Sequence, residues 1–190
     1  GWGGASLDGR GRPATVTFPA FGAQTATRTV TYSYAVGSPA SPLVTSVTDS
    51  AAPSASSKKV TTTTDLLGRV VSYTDVWNKA TSTSYDQAGR VTQATNPGGT
   101  VGYGYTADGL VDTVSLNGGV LADPTYNGWG RMTGVSYPSG GTSKGNATSG
   151  SFTIDPVWFR PNGVSWSGPG GAIAANAHTT RLDGNVVDES

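Results

Sequence analysis

Cysteine is absent from this 190-residue chain, which excludes disulfides, zinc–thiolate sites and thiol nucleophiles together. Glutamate is nearly absent, with Glu189 its lone example, and charged residues of every kind make up only 13%. A chain this poor in Glu, carrying 28 glycines and 11 prolines, does not read as helical, because helices favour Ala, Leu, Glu, Lys and Arg while Gly and Pro favour turns. Twelve basic and twelve acidic side chains cancel, so the basic surplus of a nucleic-acid binder is missing. Lys58-Lys59 is the only adjacent lysine pair and reads as a solvated loop. No apolar run is long enough to span a bilayer. The chain opens at Gly1-Trp2 without an initiator Met or apolar leader and stops abruptly at Asp188-Glu189-Ser190. We read it as an excised or processed section of something longer.

Thr, Ser, Val and Tyr are abundant. Thr, Val and Tyr suit strands, so the composition predicts many short strands joined by many tight turns. Glycines punctuate the chain at a nearly constant interval. Gly68, Gly89, Gly109 and Gly130 are separated by 21, 20 and 21 positions, and Gly11, Gly163 and Gly184 continue the series less regularly. A period of that size marks a stacked supersecondary unit rather than one folded active site.

The clearest copy runs Tyr85-Asp86-Gln87-Ala88-Gly89-Arg90-Val91, and Tyr126-Asn127-Gly128-Trp129-Gly130-Arg131-Met132 repeats it. Tyr105 to Val111 lies between them, and Leu67-Gly68-Arg69-Val70 precedes them. Asp86 is suited to accept hydrogen bonds from amides two residues on, and Gly89 to supply the positive φ of a short, bulged hairpin loop. Arg90 to Thr95 then alternates apolar and polar side chains as a half-buried strand does. Asn96-Pro97-Gly98-Gly99 follows as a second, type II turn, and Thr100 to Tyr105 returns as the next strand. Each repeat is thus two strands and two turns.

The Pro turn recurs eight residues after its glycine at Pro19 and Pro138, and Pro169-Gly170-Gly171 supplies the turn near the end. Phe159-Arg160-Pro161-Asn162-Gly163-Val164 reads as a late copy with Phe in place of Tyr, and Asp183-Gly184 as another. The period lapses twice, predicting loop insertions near 38–57 and 142–151 in an otherwise single array over 1–190. One hairpin cannot bury its own apolar side, so stability must come from stacking. Leu110, Val111, Val114 and Leu116 are expected in one layer, and Val91, Val101, Tyr103 and Tyr105 in the next. Such a sheet twists and curls, and its ends remain open edges.

The Tyr-Asp-x-x-Gly-Arg sentence at Tyr85 to Arg90, its weaker copies at Tyr105, Tyr126 and Phe159, and the Asn-Pro-Gly-Gly turn together resemble the YD repeat of RHS and teneurin proteins. The resemblance runs from about Leu7 to Val187. It implies an all-β fold of stacked hairpins in a twisted, spiralling sheet, part of a hollow shell or an open strip. In bacterial members such a shell encloses a C-terminal toxin, and in teneurins it belongs to an adhesion receptor. It therefore implies a secreted or cell-surface protein whose partners are neighbouring repeats, a toxin cargo or a surface glycan. The family's shell-closing end motif is not matched, since Ile154-Asp155-Pro156-Val157 shares only Asp-Pro. No self-cleaving site and no toxin domain are assigned.

Catalytic constellations are not apparent. His178 is the sole histidine and lacks an accompanying Gly-x-Ser-x-Gly elbow. Asp8, Asp86, Asp108 and Asp183 fall at turn positions, while Asp75, Asp112 and Asp123 read as surface charges, so a carboxylate pair for glycoside hydrolysis is not assigned. No calcium-loop array or cofactor motif occurs. Five tryptophans, Trp2, Trp77, Trp129, Trp158 and Trp166, are many for so polar a chain and read first as caps on the stacked hairpins. Trp129, Trp158 and Trp166 are candidate ligand-contacting rings, able to stack on sugars or partner shells. The expectation is a non-enzymatic wall section, with a glycan-binding or adhesive module, or a self-assembling fibre, as the alternative.

Overall fold

A computed structural model describes residues 3–23, 25–37, 43–51, 59–157, 159–180 and 186–189. Every regular element among them is a β-strand, with no helix. The chain divides into two compact units, Gly1–Gly98 and Gly99–Ser190.

The first unit contains β1 (Ala5–Leu7), β2 (Pro13–Phe18), β3 (Arg28–Ala35), β4 (Leu43–Asp49), β5 (Lys59–Thr64), β6 (Val70–Thr74), β7 (Ala80–Tyr85) and β8 (Val91–Asn96). Each strand pairs antiparallel with its neighbours in chain order and touches no other strand of the unit. The second unit repeats this plan with β9 (Gly99–Tyr105), β10 (Val111–Leu116), β11 (Gly119–Tyr126), β12 (Met132–Tyr137), β13 (Thr148–Ile154), β14 (Pro161–Gly168), β15 (Gly171–Thr180) and β16 (Val186–Glu189).

The register sorts side chains by face, because residues directly opposite one another share a side of the pleat. In the first unit Val16↔Val30, Tyr32↔Val47 and Tyr85↔Val91 share an apolar, aromatic face. The other face carries Thr31↔Thr48, Ser46↔Thr61 and Ser72↔Ser82. In the second unit Tyr105↔Val111, Tyr103↔Val114 and Val101↔Leu116 align as the expected layers. Gly134↔Ser151, Ser149↔Ser167 and Gly163↔Ala177 lie on its small-residue face.

Among the described residues no apolar side chain is fully buried, and Ser46, 5% exposed, is the only buried polar one. A sheet one layer thick covers each side chain with its strand neighbours alone. Cohesion therefore comes from nearest-neighbour ladders and cross-strand pairs, as in other repeat arrays.

The connections differ from expectation in several places. The segment expected as a loop over 142–151 stops at Ala147, because Thr148 to Ile154 forms β13. That shorter connection is itself hydrogen-bonded, with Gly145 N–H donating to Pro138 O and Lys144 N–H to Val120 O. Within 38–57, Leu43–Asp49 is β4, while 38–42 and 52–58 lie outside the described residues, as do Trp2, Trp158 and Gly184. At the Pro97 turn the positive φ falls on Gly99 (149°) rather than Gly98. The Asn96 side chain instead accepts the Gly98 N–H at 2.8 Å. Asn117-Gly118, with φ of 50° and 81° between the paired residues Leu116 and Gly119, is a two-residue type I′ hairpin. Nothing in the glycine period pointed to it.

Gly163 is not a turn glycine. It lies within β14, opposite Thr153 and Ala177, where an added Cβ would meet Thr153 Oγ1 at 2.5 Å. The left-handed residue of that copy lies four residues earlier, in a turn opened by Asp155 and closed at Phe159, whose φ is 54°.

Candidate functional site

The recurring turn has one geometry. Its first residue donates its N–H to the carbonyl four residues on and accepts the N–H of the third-following residue. This holds at Asp8, Asp65, Asp75, Asp86, Thr106 and Asn127, with every N···O distance between 2.8 and 3.0 Å. The glycine three residues on takes φ of 74° at Gly11, 78° at Gly68, 82° at Gly89, 84° at Gly109 and 72° at Gly130. Only a residue without Cβ takes that region freely; Asn78 occupies it in the Asp75 turn at 59°. A register shift accompanies these turns where the strands meet, as at Ser6/Leu7, Thr63/Thr64, Ser84/Tyr85 and Thr125/Tyr126. Each is a bulge that sharpens local twist.

The side chain of the first residue completes the loop. Asp65 Oδ1 accepts the N–H groups of Leu67 and Arg69, each at 2.9 Å, and its Oδ2 accepts Arg69 Nε at 2.7 Å. Asp8 treats Arg10 and Arg12 in the same way, and Asp86 holds Arg90 at 2.7 Å. The Arg12 and Arg90 hydrogen bonds, backbone first and side chain second, hold the Asp8 and Asp86 carboxyls below the ordinary carboxylate range. At Asp65 desolvation pushes upward, and the Arg69 and Leu67 hydrogen bonds outweigh it, so the net direction is again down.

The arginine then reaches beyond its own hairpin. Arg69 lies over the Tyr85 ring at 4.2 Å and Arg12 over Tyr34 at 3.9 Å. A Cβ on Gly89 would sit 3.3 Å from Arg69 Nη1. Tyr, Asp, Gly and Arg of the motif therefore have one joint task. Asp clamps Arg, Gly leaves room for the preceding Arg, and Tyr offers that Arg its ring.

Degenerate copies keep the backbone and lose the charge. Thr106 Oγ1 accepts the Leu110 N–H at 3.1 Å, and Leu110 takes the arginine place against Gly130, 3.4 Å from its would-be Cβ. Asn127 Oδ1 accepts Trp129 and Arg131 N–H groups without supplying a carboxylate. Tyr85, Tyr105 and Tyr126 each end a strand and pair across the turn with Val91, Val111 and Met132.

One assignment of Asp changes, and another is narrowed. Asp75, read as a surface charge, builds a turn by accepting Trp77 and Lys79 N–H groups at 2.9 and 2.8 Å. Asp108 stands third in its turn, and Thr106 does the accepting. The sequence signal for Asp65 was present, since it precedes Gly68 and Arg69 at the same offset as Asp86 before Gly89 and Arg90. Asp75 lacks the glycine, and the period passes over it.

The aromatic candidates separate. Trp166 lies against Gly150, with Tyr137 stacked at 6.4 Å and Phe152 edge-on at 6.2 Å, so it packs the sheet face. Trp129 is 72% exposed at the third position of its turn and meets Phe159 edge-on at 5.2 Å. Trp77, third in its own turn, is 75% exposed, which overturns its reading as a cap. Trp129 borders an open groove of about 780 Å³ that also contains Asp108, Asp112, Asp123 and Tyr126. His178 sits in β15 with Glu189 as its Cα partner. Among the described residues no group of His, Asp or Glu is arranged to hold a metal ion, and no helix is long and apolar enough to cross a membrane.

These features define a repeat protein of antiparallel hairpins joined by side-chain-clamped turns. The family model for the RHS repeat matches residues 59–101, which include the Asp65, Asp75 and Asp86 turns. Over those residues the chain matches the RHS repeat. Its fold is similar to the crystal structure of TcdB2–TccC3 (15% identity, TM-score 0.52, 98% of this chain). It is also similar to the Tc holotoxin pore of Photorhabdus luminescens (14% identity, TM-score 0.52, 99% of this chain). This chain spans 11% of the length of each. No curated protein matches it.

Proposed function

We propose that this chain is a section of structural wall in a large secreted or surface-exposed RHS-repeat protein, non-catalytic in itself, which encloses or displays a C-terminal toxin or effector. The observation that carries the reading is the one-layer sheet. Within each unit the inner strands are bonded on both edges by chain neighbours, no apolar side chain among the described residues is fully buried, and turn arginines lie over aromatic rings of the next hairpin. Such a sheet is a surface-builder; it extends by adding hairpins. Its likeness in fold to the Tc holotoxin pore supports the toxin association. Electron microscopy of the full-length parent tests this: a continuous sheet around a hollow interior is expected, and a compact globule would sink the reading.

A second reading, glycan or cell-surface adhesion, is favoured by the exposed Trp129 ring beside a groove lined with carboxylates and Asn127. Rings stack on sugar faces while carboxylates and amides accept or donate at hydroxyls. A glycan array comparing the natural chain with Trp129→Ala decides it. Retained binding in the variant, or none in either protein, removes the adhesive role.

A further inference from the structure

Beyond the wall reading, the second unit carries a groove with its own chemistry. Arg131, Met132, Phe152, Ile154 and Pro161 line an open hollow of about 370 Å³. Met132, Phe152, Ile154 and Pro161 share the apolar face, as the register of β11 to β14 requires, and Met132 is 42% exposed.

Arg131 differs from its counterparts. Arg12, Arg69 and Arg90 are each neutralised by the aspartate four residues earlier. Arg131 has Asn127 at that place, which binds only its backbone N–H, and its guanidinium makes no ion pair among the described residues. Its contact with Phe159, at 5.9 Å, is looser than the 3.9 and 4.2 Å contacts of Arg12 and Arg69. An apolar hollow is thus rimmed by an exposed cation whose internal counter-ion has been replaced.

We propose that this groove binds an extended segment of a partner polypeptide in which an apolar side chain and a carboxylate two residues away share one face. The apolar side chain fills the hollow over Met132 and Phe152, and the carboxylate takes the guanidinium fork of Arg131 that Asp holds in the other turns. Charge complementarity selects this occupant: a basic segment meets the bare Arg131, and a neutral apolar one leaves it unpaired.

The test uses the complete chain and a fluorescein-labelled peptide carrying Phe-Ser-Glu between terminal glycines, so that Phe and Glu share one face, followed by anisotropy at low salt. Arg131→Gln is expected to weaken binding about tenfold. Asn127→Asp is the sharper probe. It restores the internal counter-ion, leaves the hollow untouched, and is expected to weaken binding about fivefold while the unfolding midpoint does not fall. A matched peptide with Lys in place of Glu is expected not to bind. Undiminished binding in either variant overturns the assignment. So does binding of laurate without the peptide, which would make the groove a fatty-acid site.

Discussion

The turns at Asp86 and Asn127 have the same backbone and different electrostatics. Both close with the same pair of main-chain hydrogen bonds and a glycine near φ 80° or 70°, yet only Asp86 holds its arginine side chain. The difference separates two roles that the motif superimposes. Any oxygen acceptor followed by a left-handed residue shapes the loop, as Thr106 also shows. The carboxylate orients the arginine toward the next hairpin.

The largest expected effect breaks what the two turns share. Gly89→Val places a β-branched side chain at φ 82° and 3.3 Å from Arg69, and is expected to destabilise by about 2 kcal/mol in urea unfolding. Gly128→Ala is the control, since Gly128 has open space and no positive φ; a shift within about 0.5 kcal/mol is expected.

Next comes the acceptor. Asn127→Ala strips two backbone N–H groups of their partner and is expected to cost about 1 kcal/mol, read by the same denaturation. A variant as stable as the natural chain would show that water replaces the side chain without loss.

The carboxylates themselves are probed by pH. The folded-state pKa values of Asp8, Asp65 and Asp86 are depressed. Their contribution is therefore present above the ordinary aspartate pKa of about 3.9 and is lost as pH falls through the lower folded values. Thermal midpoints measured from pH 6 downward are expected to fall in that window, and Asp86→Asn to flatten the fall. Because these pairs are solvent-exposed, salt is expected to move the midpoint only slightly. The smallest effect sharpens the comparison from the other side. Asn127→Asp is expected to leave stability equal or slightly raised at neutral pH, with the increment vanishing on acidification.

Much of this architecture was legible in the chain. Spacing among Gly68, Gly89, Gly109 and Gly130 located four turns, and the residues expected in adjacent layers, Val101, Tyr103 and Tyr105 beside Val111, Val114 and Leu116, do face one another. Counting glycines failed where another residue adopts the left-handed conformation. Asn78 and Phe159 do so in their turns, and Gly163 was misplaced because its spacing fits while its backbone is a strand. Thr148 to Ser151 was read as loop because Ser, Thr and Gly suggest flexibility, yet these small residues pair with β12 and β14. The Arg–Tyr contacts between hairpins were beyond reach, since residues 16 or 22 positions apart carry no mark of proximity.

The pairing of each strand with its chain neighbours alone has a consequence for how such chains change length. Deleting or duplicating two consecutive strands returns the backbone to the same direction, and with the turn bulges included, to the same face. The remaining strands meet a partner much like the one they lost. Lineages can lengthen or shorten the sheet by whole hairpins without redesigning anything downstream, whereas an odd strand would reverse the direction of every later strand relative to the earlier ones.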